Sequence, residues 1–338
     1  MFKALNQLSG NSFEINDGES VLDAAIRQGV NLPYGCRNGF CGKCKSVILD
    51  GEIQYPGKRP PGISESETNE GFALLCQCRA SSDLTIASNE LEPEIGNIPI
   101  RKLPCKVQEI EHLNHDVVKV VLKTPESDSL QYLAGQYIDL QYKDMIPRSF
   151  SIANEPKNSS LIELHIRLIE DGEFTNFIFK ELKEKTLLSI EGPRGDFYLR
   201  EKSTKPIIFV AGGTGFGPVK AIIEHIISSK NNRQIYIYWG VRDEKDIYMK
   251  TPYNWEQDHQ NITFIPVLSE ANKGWSGRTG FVHEAVVNDF DSLKEYEVYA
   301  CGPPVMVKSA ANSFVEKGLS KDSFFSDSFD FVKHEDEQ

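Results

Sequence analysis

Three cysteines fall inside one short loop, Cys36-Arg37-Asn38-Gly39-Phe40-Cys41-Gly42-Lys43-Cys44, and a fourth, Cys76, follows well downstream. No other stretch constrains the fold as tightly, because a centre held by four thiolates requires distant backbone segments to meet at one point. C-x4-C-x2-C with a lone distal cysteine is ligand spacing for a [2Fe–2S] cluster. Structural zinc sites more often use two short C-x2-4-C arms, which this pattern lacks. Gly39 and Gly42 let the loop turn tightly and aim its N–H groups at the sulfurs. Cys36, Cys41 and Cys44 are therefore read as metal ligands. For the fourth, Cys76 and Cys78 compete: read as a strand, the run around them turns both to the same face.

At 338 residues the chain exceeds one ordinary core, so two or three domains are expected. A net charge of −12 argues against a nucleic-acid partner, which would need a basic footprint. No run approaches the roughly 18 apolar residues of a membrane span, and the first residues lack the apolar core of a signal peptide. The seven cysteines are odd in number, and four serve better as metal ligands than in disulfides. Together these features predict a cytoplasmic protein.

Patterning divides the chain. Residues 1–92 predict a hairpin over 2–5 and 12–15, a helix over 21–29, then strands at 46–49 and 52–55 joined at Asp50-Gly51, with later strands at 74–79 and 83–86. Residues 93–101, acidic and proline-bearing, predict a linker. Residues 102–200 show β-branched alternating runs at 105–110, 117–123, 136–141, 162–169 and 187–191, with a helix at 176–182. That pattern predicts a closed antiparallel barrel. Over 204–338, strands at 207–210, 234–239, 262–268 and 298–300 alternate with helices at 219–228, 281–287 and 305–315, which predicts an α/β domain on a parallel sheet.

Four further motifs carry chemistry. Gly212-Gly213-Thr214-Gly215 joins the first strand of that sheet to its first helix, where bare glycines and helix N–H groups suit a pyrophosphate. Arg148-Ser149-Phe150-Ser151 offers a phosphate partner, an aromatic face and hydroxyls. Gly172-Glu173-Phe174-Thr175 opens the barrel's helix, a second phosphate seat. Cys301-Gly302-Pro303-Pro304 ends a late strand and starts a helix.

Taken in order, Arg-x-Phe-Ser, Gly-x-x-Thr, Gly-Gly-Thr-Gly-x-x-Pro and Cys-Gly-Pro-Pro resemble the ferredoxin–NADP⁺ reductase superfamily. With the cysteine-bearing N-terminal part, the chain resembles one-component iron–sulfur flavoprotein reductases across nearly its whole length. The implied architecture is a β-grasp ferredoxin domain, a flavin-binding barrel and an NAD domain. Stretches such as Tyr132-Leu133-Ala134-Gly135-Gln136, Glu163-Leu164-His165-Ile166-Arg167 and Phe324-Phe325-Ser326-Asp327 are similar to the CDP-6-deoxy-Δ3,4-glucoseen reductase family. That family passes electrons from NADH through FAD and a [2Fe–2S] cluster to a pyridoxamine-phosphate-dependent dehydratase that makes 3,6-dideoxyhexose precursors.

The resemblance implies Cys76 as fourth ligand. It implies that Arg148 meets the FAD pyrophosphate, that Phe150 flanks the flavin with Ser149 beside it, and that Ser151 lies near the flavin N5. His165 and Arg167 would line the ribityl and phosphate region, and Gly172 and Thr175 the pyrophosphate. Gly212, Gly213, Thr214 and Gly215 would hold the dinucleotide, Cys301, Gly302 and Pro303 would lie beside the nicotinamide, and Phe329 would cover the flavin. A flavin is needed between a two-electron donor and a one-electron cluster. The acids in Arg242-Asp243-Glu244-Lys245-Asp246 predict NADH over NADPH, with Arg242 the residue that argues otherwise. The expected partner is a protein electron acceptor, a dehydratase or alternatively an oxygenase. A free-flavin reductase would not need residues 1–92, and a redox sensor would not need every hydride-transfer motif. Arg37, Lys43 and Lys45 form either a docking patch or an ordinary solvated loop.

Overall fold

A computed structural model describes residues 1–90, 98–157 and 160–328. The chain separates into two compact units, Met1–Pro99 and Ile100–Gln338. Residues 93–97 of the expected linker lie outside the described residues.

The first unit contains β1 (Phe2–Asn6), β2 (Ser12–Ile15), α1 (Val21–Arg27), β3 (Lys45–Asp50), β4 (Ile53–Gln54), α2 (Glu65–Asn69), β5 (Phe72–Leu74), β6 (Arg79–Ala80) and β7 (Leu84–Ala87). Its five-stranded sheet runs β2-β1-β7-β3-β5, with β1 and β7 parallel at the centre. Val21, Leu22, Ala24 and Ala25 of α1 are buried in a core with Phe13, Ile15, Leu74 and Ile86. Ser20 caps the helix by accepting from the Asp23 N–H at 3.0 Å. The expected hairpin at Asp50-Gly51 does not form. β4 pairs with β6 in a separate ribbon, because Gly51 sits at φ +95° with no room for a Cβ beside the Asp83 carbonyl, and the chain turns away there. The expected strand over 74–79 also breaks: the Gln77 and Cys78 N–H groups both donate to the Leu74 carbonyl at 3.0 Å, which makes a tight turn.

The second unit begins with six strands, β8 (Arg101–His112), β9 (Val117–Lys123), β10 (Tyr137–Gln141), β11 (Arg148–Ser151), β12 (Leu161–Arg167) and β13 (Leu187–Arg194), plus α3 (Glu173–Lys180). Their order is β11-β10-β13-β8-β9-β12, all antiparallel. The two edge strands meet through the Ile152–Leu164 bridge, so the sheet is a nearly closed barrel. Alternate residues such as Val118, Val120, Leu122, Ile162, Leu164 and Ile166 fill it.

The remainder comprises β14 (Ile207–Gly212), α4 (Phe216–Ser228), β15 (Ile235–Val241), α5 (Thr251–Asp258), β16 (Ile262–Leu268), β17 (Arg278–Thr279), α6 (Val282–Asp289), β18 (Glu297–Gly302), α7 (Pro304–Glu316) and β19 (Phe324–Ser328). The parallel sheet runs β17-β16-β15-β14-β18-β19. β14, next to the switch in strand order, is buried along Ile207–Ala211, the continuous apolar signature of a strand covered on both faces. α5 carries no strong apolar stripe, which is why periodicity passes over it.

Candidate cofactor sites

Around the cysteine loop, the backbone points inward. Arg37, Gly39 and Gly42 all have positive φ, which winds the loop tightly. The Cys41 N–H donates to the Cys36 sulfur at 3.3 Å, and the Cys36 N–H to the Cys41 sulfur at 3.4 Å. Further backbone N–H groups reach Cys36 from Asn38 and Phe40, Cys41 from Lys43, and Cys76 from Gly39. The sulfurs stand in two pairs. The Cys41 thiol donates to Cys36, which is held down at about 6 while Cys41 is pushed up. The Cys44 thiol likewise lowers Cys76 and is itself raised. In each pair one sulfur is thus eased toward the thiolate while its neighbour is held as a thiol, and a bound cation would favour ionisation of both. Four convergent sulfurs in that state fit a [2Fe–2S] cluster.

Cys76 belongs to this group and Cys78 does not. Cys78 is buried in the core, which pushes its thiol up to about 12, with no hydrogen bond to another cysteine. The turn at 75–77 separates them, so the strand alternation expected to align them never applies. Beside this turn the Leu74 N–H donates to the Tyr55 hydroxyl at 3.0 Å. Of the loop's cations, Arg37 pairs with Asp23 and Lys45 with Glu67. Those two positive charges are answered within the unit, which counts against the docking patch.

In the barrel, β11 lies along β10, with Ser151 opposite Tyr137 and Ser149 opposite Asp139. Arg148 donates only to the carbonyls of Ile146 (3.4 Å) and Pro147 (3.1 Å), so no carboxylate among the described residues neutralises it. Phe150 packs on Phe174 with ring centroids 6.0 Å apart. Ser149 donates to Asp139 at 2.6 Å. The half-buried Ser151 hydroxyl has no partner among the described residues. Gly172 caps α3 without any side-chain bond, leaving the N–H groups of the first turn open. An unpaired guanidinium, a free hydroxyl and an open helix N-terminus on one domain fit a flavin with its phosphates.

Three expected contacts change role. Thr175 directs its hydroxyl to its own turn, at 3.1 Å from the Ile169 N–H and 3.2 Å from the Gly172 carbonyl, and so shapes the seat. His165 is fully buried: Nε2 lies 2.8 Å from Glu163 and Nδ1 3.1 Å from the Tyr248 hydroxyl. Both ring nitrogens are thus engaged by protein groups rather than left for a ribityl chain. Glu163 also accepts from Lys220, so the tautomer follows: Nε2–H donates to the carboxylate and Nδ1 accepts from Tyr248. Arg167 is held by Asp116 at 2.7 Å, and its Nη1 lies 3.2 Å from where a Cβ of Gly213 would stand. It therefore reaches the nucleotide turn rather than the barrel's own loop.

That turn, Gly213–Gly215, is a single 3-10 turn leading into α4, again without a side-chain cap. Gly213 sits at φ +53°. Trp239 Nε1 donates to the Gly213 carbonyl at 2.9 Å, and its ring stacks on Phe216 at 4.2 Å. The Thr214 hydroxyl has no partner among the described residues. Gly212 packs on Met306 and Pro303, and Gly302 on Gly212, so these glycines join two turns as well as baring a ligand seat. Cys301 is buried between Ala211 and Asp327 in the sheet. Phe329, expected over the flavin, lies outside the described residues.

Lys220, Tyr248 and Trp239 are the residues that motif reading missed. Only Lys220 carried a signal, a lone charge inside the apolar run Val219-Lys220-Ala221-Ile222-Ile223.

Family models match three consecutive parts: a 2Fe-2S iron-sulfur cluster binding domain over residues 6–81, an oxidoreductase FAD-binding domain over 104–198, and an oxidoreductase NAD-binding domain over 209–312. Protein RfbI of Salmonella typhimurium is 42% identical over 94% of this chain and 93% of its own length. The CDP-6-deoxy-L-threo-D-glycero-4-hexulose-3-dehydrase reductase of Yersinia pestis is 40% identical over 95% and 96%. Among solved structures, the Amycolatopsis cytochrome P450 reductase GcoB superposes with a TM-score of 0.82 at 29% identity, covering 97% of this chain and 99% of that one. No helix among the described residues is long and apolar enough to cross a membrane.

Proposed function

The chain belongs to the iron–sulfur flavoprotein reductases of the ferredoxin–NADP⁺ reductase superfamily, and on that footing we propose that it carries electrons from NADH to a sugar 3-dehydrase. The acceptor is a pyridoxamine-phosphate-dependent CDP-6-deoxyhexulose dehydrase. One observation carries this reading: a reductase named for that dehydrase is 40% identical along nearly the whole of both chains. The P450 reductase, at 29%, supports the oxygenase alternative less well.

When bound, the flavin supplies the exchange between the two-electron chemistry of the nicotinamide and the one-electron chemistry of the cluster. The residues of the chain do the placing. Arg148 and the open first turn of α3 meet phosphate charge, and the Ser151 hydroxyl is left to bond the ring. The uncapped turn at Gly213–Gly215 and the α4 N-terminus receive the dinucleotide pyrophosphate. Cys36, Cys41, Cys44 and Cys76 hold the cluster. No general acid or base is required, since hydride transfer depends on proximity and alignment.

The test is turnover with purified dehydrase, its CDP-6-deoxy-4-hexulose substrate and NADH. NADH consumption coupled to sugar product is expected. NADH-dependent reduction of an oxygenase partner with none of the dehydrase would overturn the acceptor.

A further inference from the structure

Lys220 lies on the second turn of α4 and is buried, with only 7% of its surface exposed. Its ammonium donates to the Ala153 carbonyl at 2.9 Å, and lies 3.1 Å from Glu163 and 2.8 Å from Glu224. These partners come from both sides of the seam between barrel and nucleotide domain. Ala153 stands two residues past Ser151, and its N–H donates to the Glu163 carbonyl at 2.8 Å, beside the bridge that closes the barrel. Glu224 comes from α4 itself and accepts from the Glu155 N–H at 3.4 Å. Farther along, Ser228 donates to Glu155 at 2.5 Å. Gly217 lies in the same contact: a Cβ added to it would stand 3.4 Å from the Ala153 methyl.

The same helix begins at the nucleotide turn, and the same strand extension begins at Ser151. A buried ammonium with three acceptors has one place to sit, because losing any of them leaves a charge or carbonyl unsatisfied. We infer that Lys220 is a positioning residue for hydride transfer, a strut that fixes the nicotinamide seat on α4 against the flavin seat on β11. The inference rests on the reading of those two seats given above. Lys220 touches neither cofactor. In the step it positions, the C4–H bond of NADH breaks with its electron pair and an N–H bond forms on the flavin, leaving NAD⁺.

Misplacement of reacting atoms by about 1 Å costs on the order of 100-fold in rate. The test uses the full-length protein loaded with cluster and FAD, comparing wild type with Lys220→Met and Glu224→Gln. Stopped-flow bleaching of the flavin by NADH reads hydride transfer, and C4-deuterated NADH reads whether that step is isolated. FAD and NAD⁺ dissociation constants are measured alongside. Amide exchange at residues 153–155 is followed in cofactor-free protein. Lys220→Met is expected to slow bleaching about 100-fold with a full deuterium effect, to change both dissociation constants less than about threefold, and to speed exchange at 153–155. Glu224→Gln, which keeps the Ala153 and Glu163 contacts and removes only the charge of the third, should lose about tenfold, and it decides the matter if Lys220→Met does not fold. Bleaching at the wild-type rate in a folded variant would overturn the inference. So would weakened cofactor binding with an unchanged rate in the loaded fraction, the signature of a merely structural role. If wild-type protein itself is not bleached by NADH, the functional reading fails instead.

Discussion

A Cβ on Gly215 would stand 2.2 Å from the carbonyl oxygen of Cys301. The turn after β14 and the end of β18 therefore meet backbone to backbone, and the proposed seat for the nucleotide draws on both. Gly215→Ala should force the two apart and cost about 3 kcal/mol, the upper part of the range for overpacking. Gly213→Ala meets only the end of Arg167 and carries the cost of a positive φ, about 1–2 kcal/mol. Urea denaturation of the two variants checks the order, and the NADH KM should rise in both.

Cys76→Ser should remove or badly destabilise the cluster, whereas Cys78→Ser should keep it. Cys76 is joined to Cys44 and to the Gly39 N–H, while Cys78 is a core thiol on the far side of a turn. Iron content and visible absorption after anaerobic purification decide the point. A colourless Cys78→Ser protein with an intact Cys76→Ser cluster would reverse the assignment.

Cys41→Ser should separate the two activities. Reduction of ferricyanide by NADH, which needs only the flavin and nucleotide parts, should persist within about twofold. Transfer to a protein acceptor should fall at least about 100-fold if its route runs through the cluster. Because Arg37 and Lys45 already pair with Asp23 and Glu67, raising salt should weaken that transfer only modestly. Undiminished protein reduction would mean that electrons leave from the flavin.

Stability of the second unit should fall in two steps as pH drops. Burial lowers the His165 pKa below its ordinary 6.5, against the pull of Glu163. The unfolded chain then takes up the proton first, so this contribution is full above pH 6.5 and is lost below it. Burial resists ionisation of Glu163, but His165 and Lys220 outweigh it and hold the carboxyl at about 2. Its contribution is full above its ordinary 4.5 and disappears as pH falls toward 2. Glu224, raised by burial, acts with the opposite sign. Urea midpoints from pH 8 to 4 measure the first step; His165→Asn should abolish it and, by removing one of the groups that hold Glu163 down, also shrink the second.

Cluster, barrel and parallel sheet were all legible in the residues, since each depends on local order along the chain. The Cys36–Cys44 spacing, the period-two runs and the glycine turn before α4 are short-range patterns. They determine which backbone conformations are available and which groups a loop can present. The motifs proposed to seat cofactors could be named for the same reason.

What tertiary structure alone decided is which groups remain available for chemistry. A turn of three residues assigned Cys76 and Cys78 to different surroundings. His165 and Thr175 had the right identity and spacing for ligand contacts, yet Tyr248, some eighty residues away, claims one, and the Ile169 N–H the other. Lys220 is a lone charge in an apolar run of its helix, and its partners Ala153 and Glu163 come from the barrel. A hydrogen bond needs partners within about 3 Å, and pairs so distant in sequence acquire that proximity only when the barrel closes and the helix docks against it.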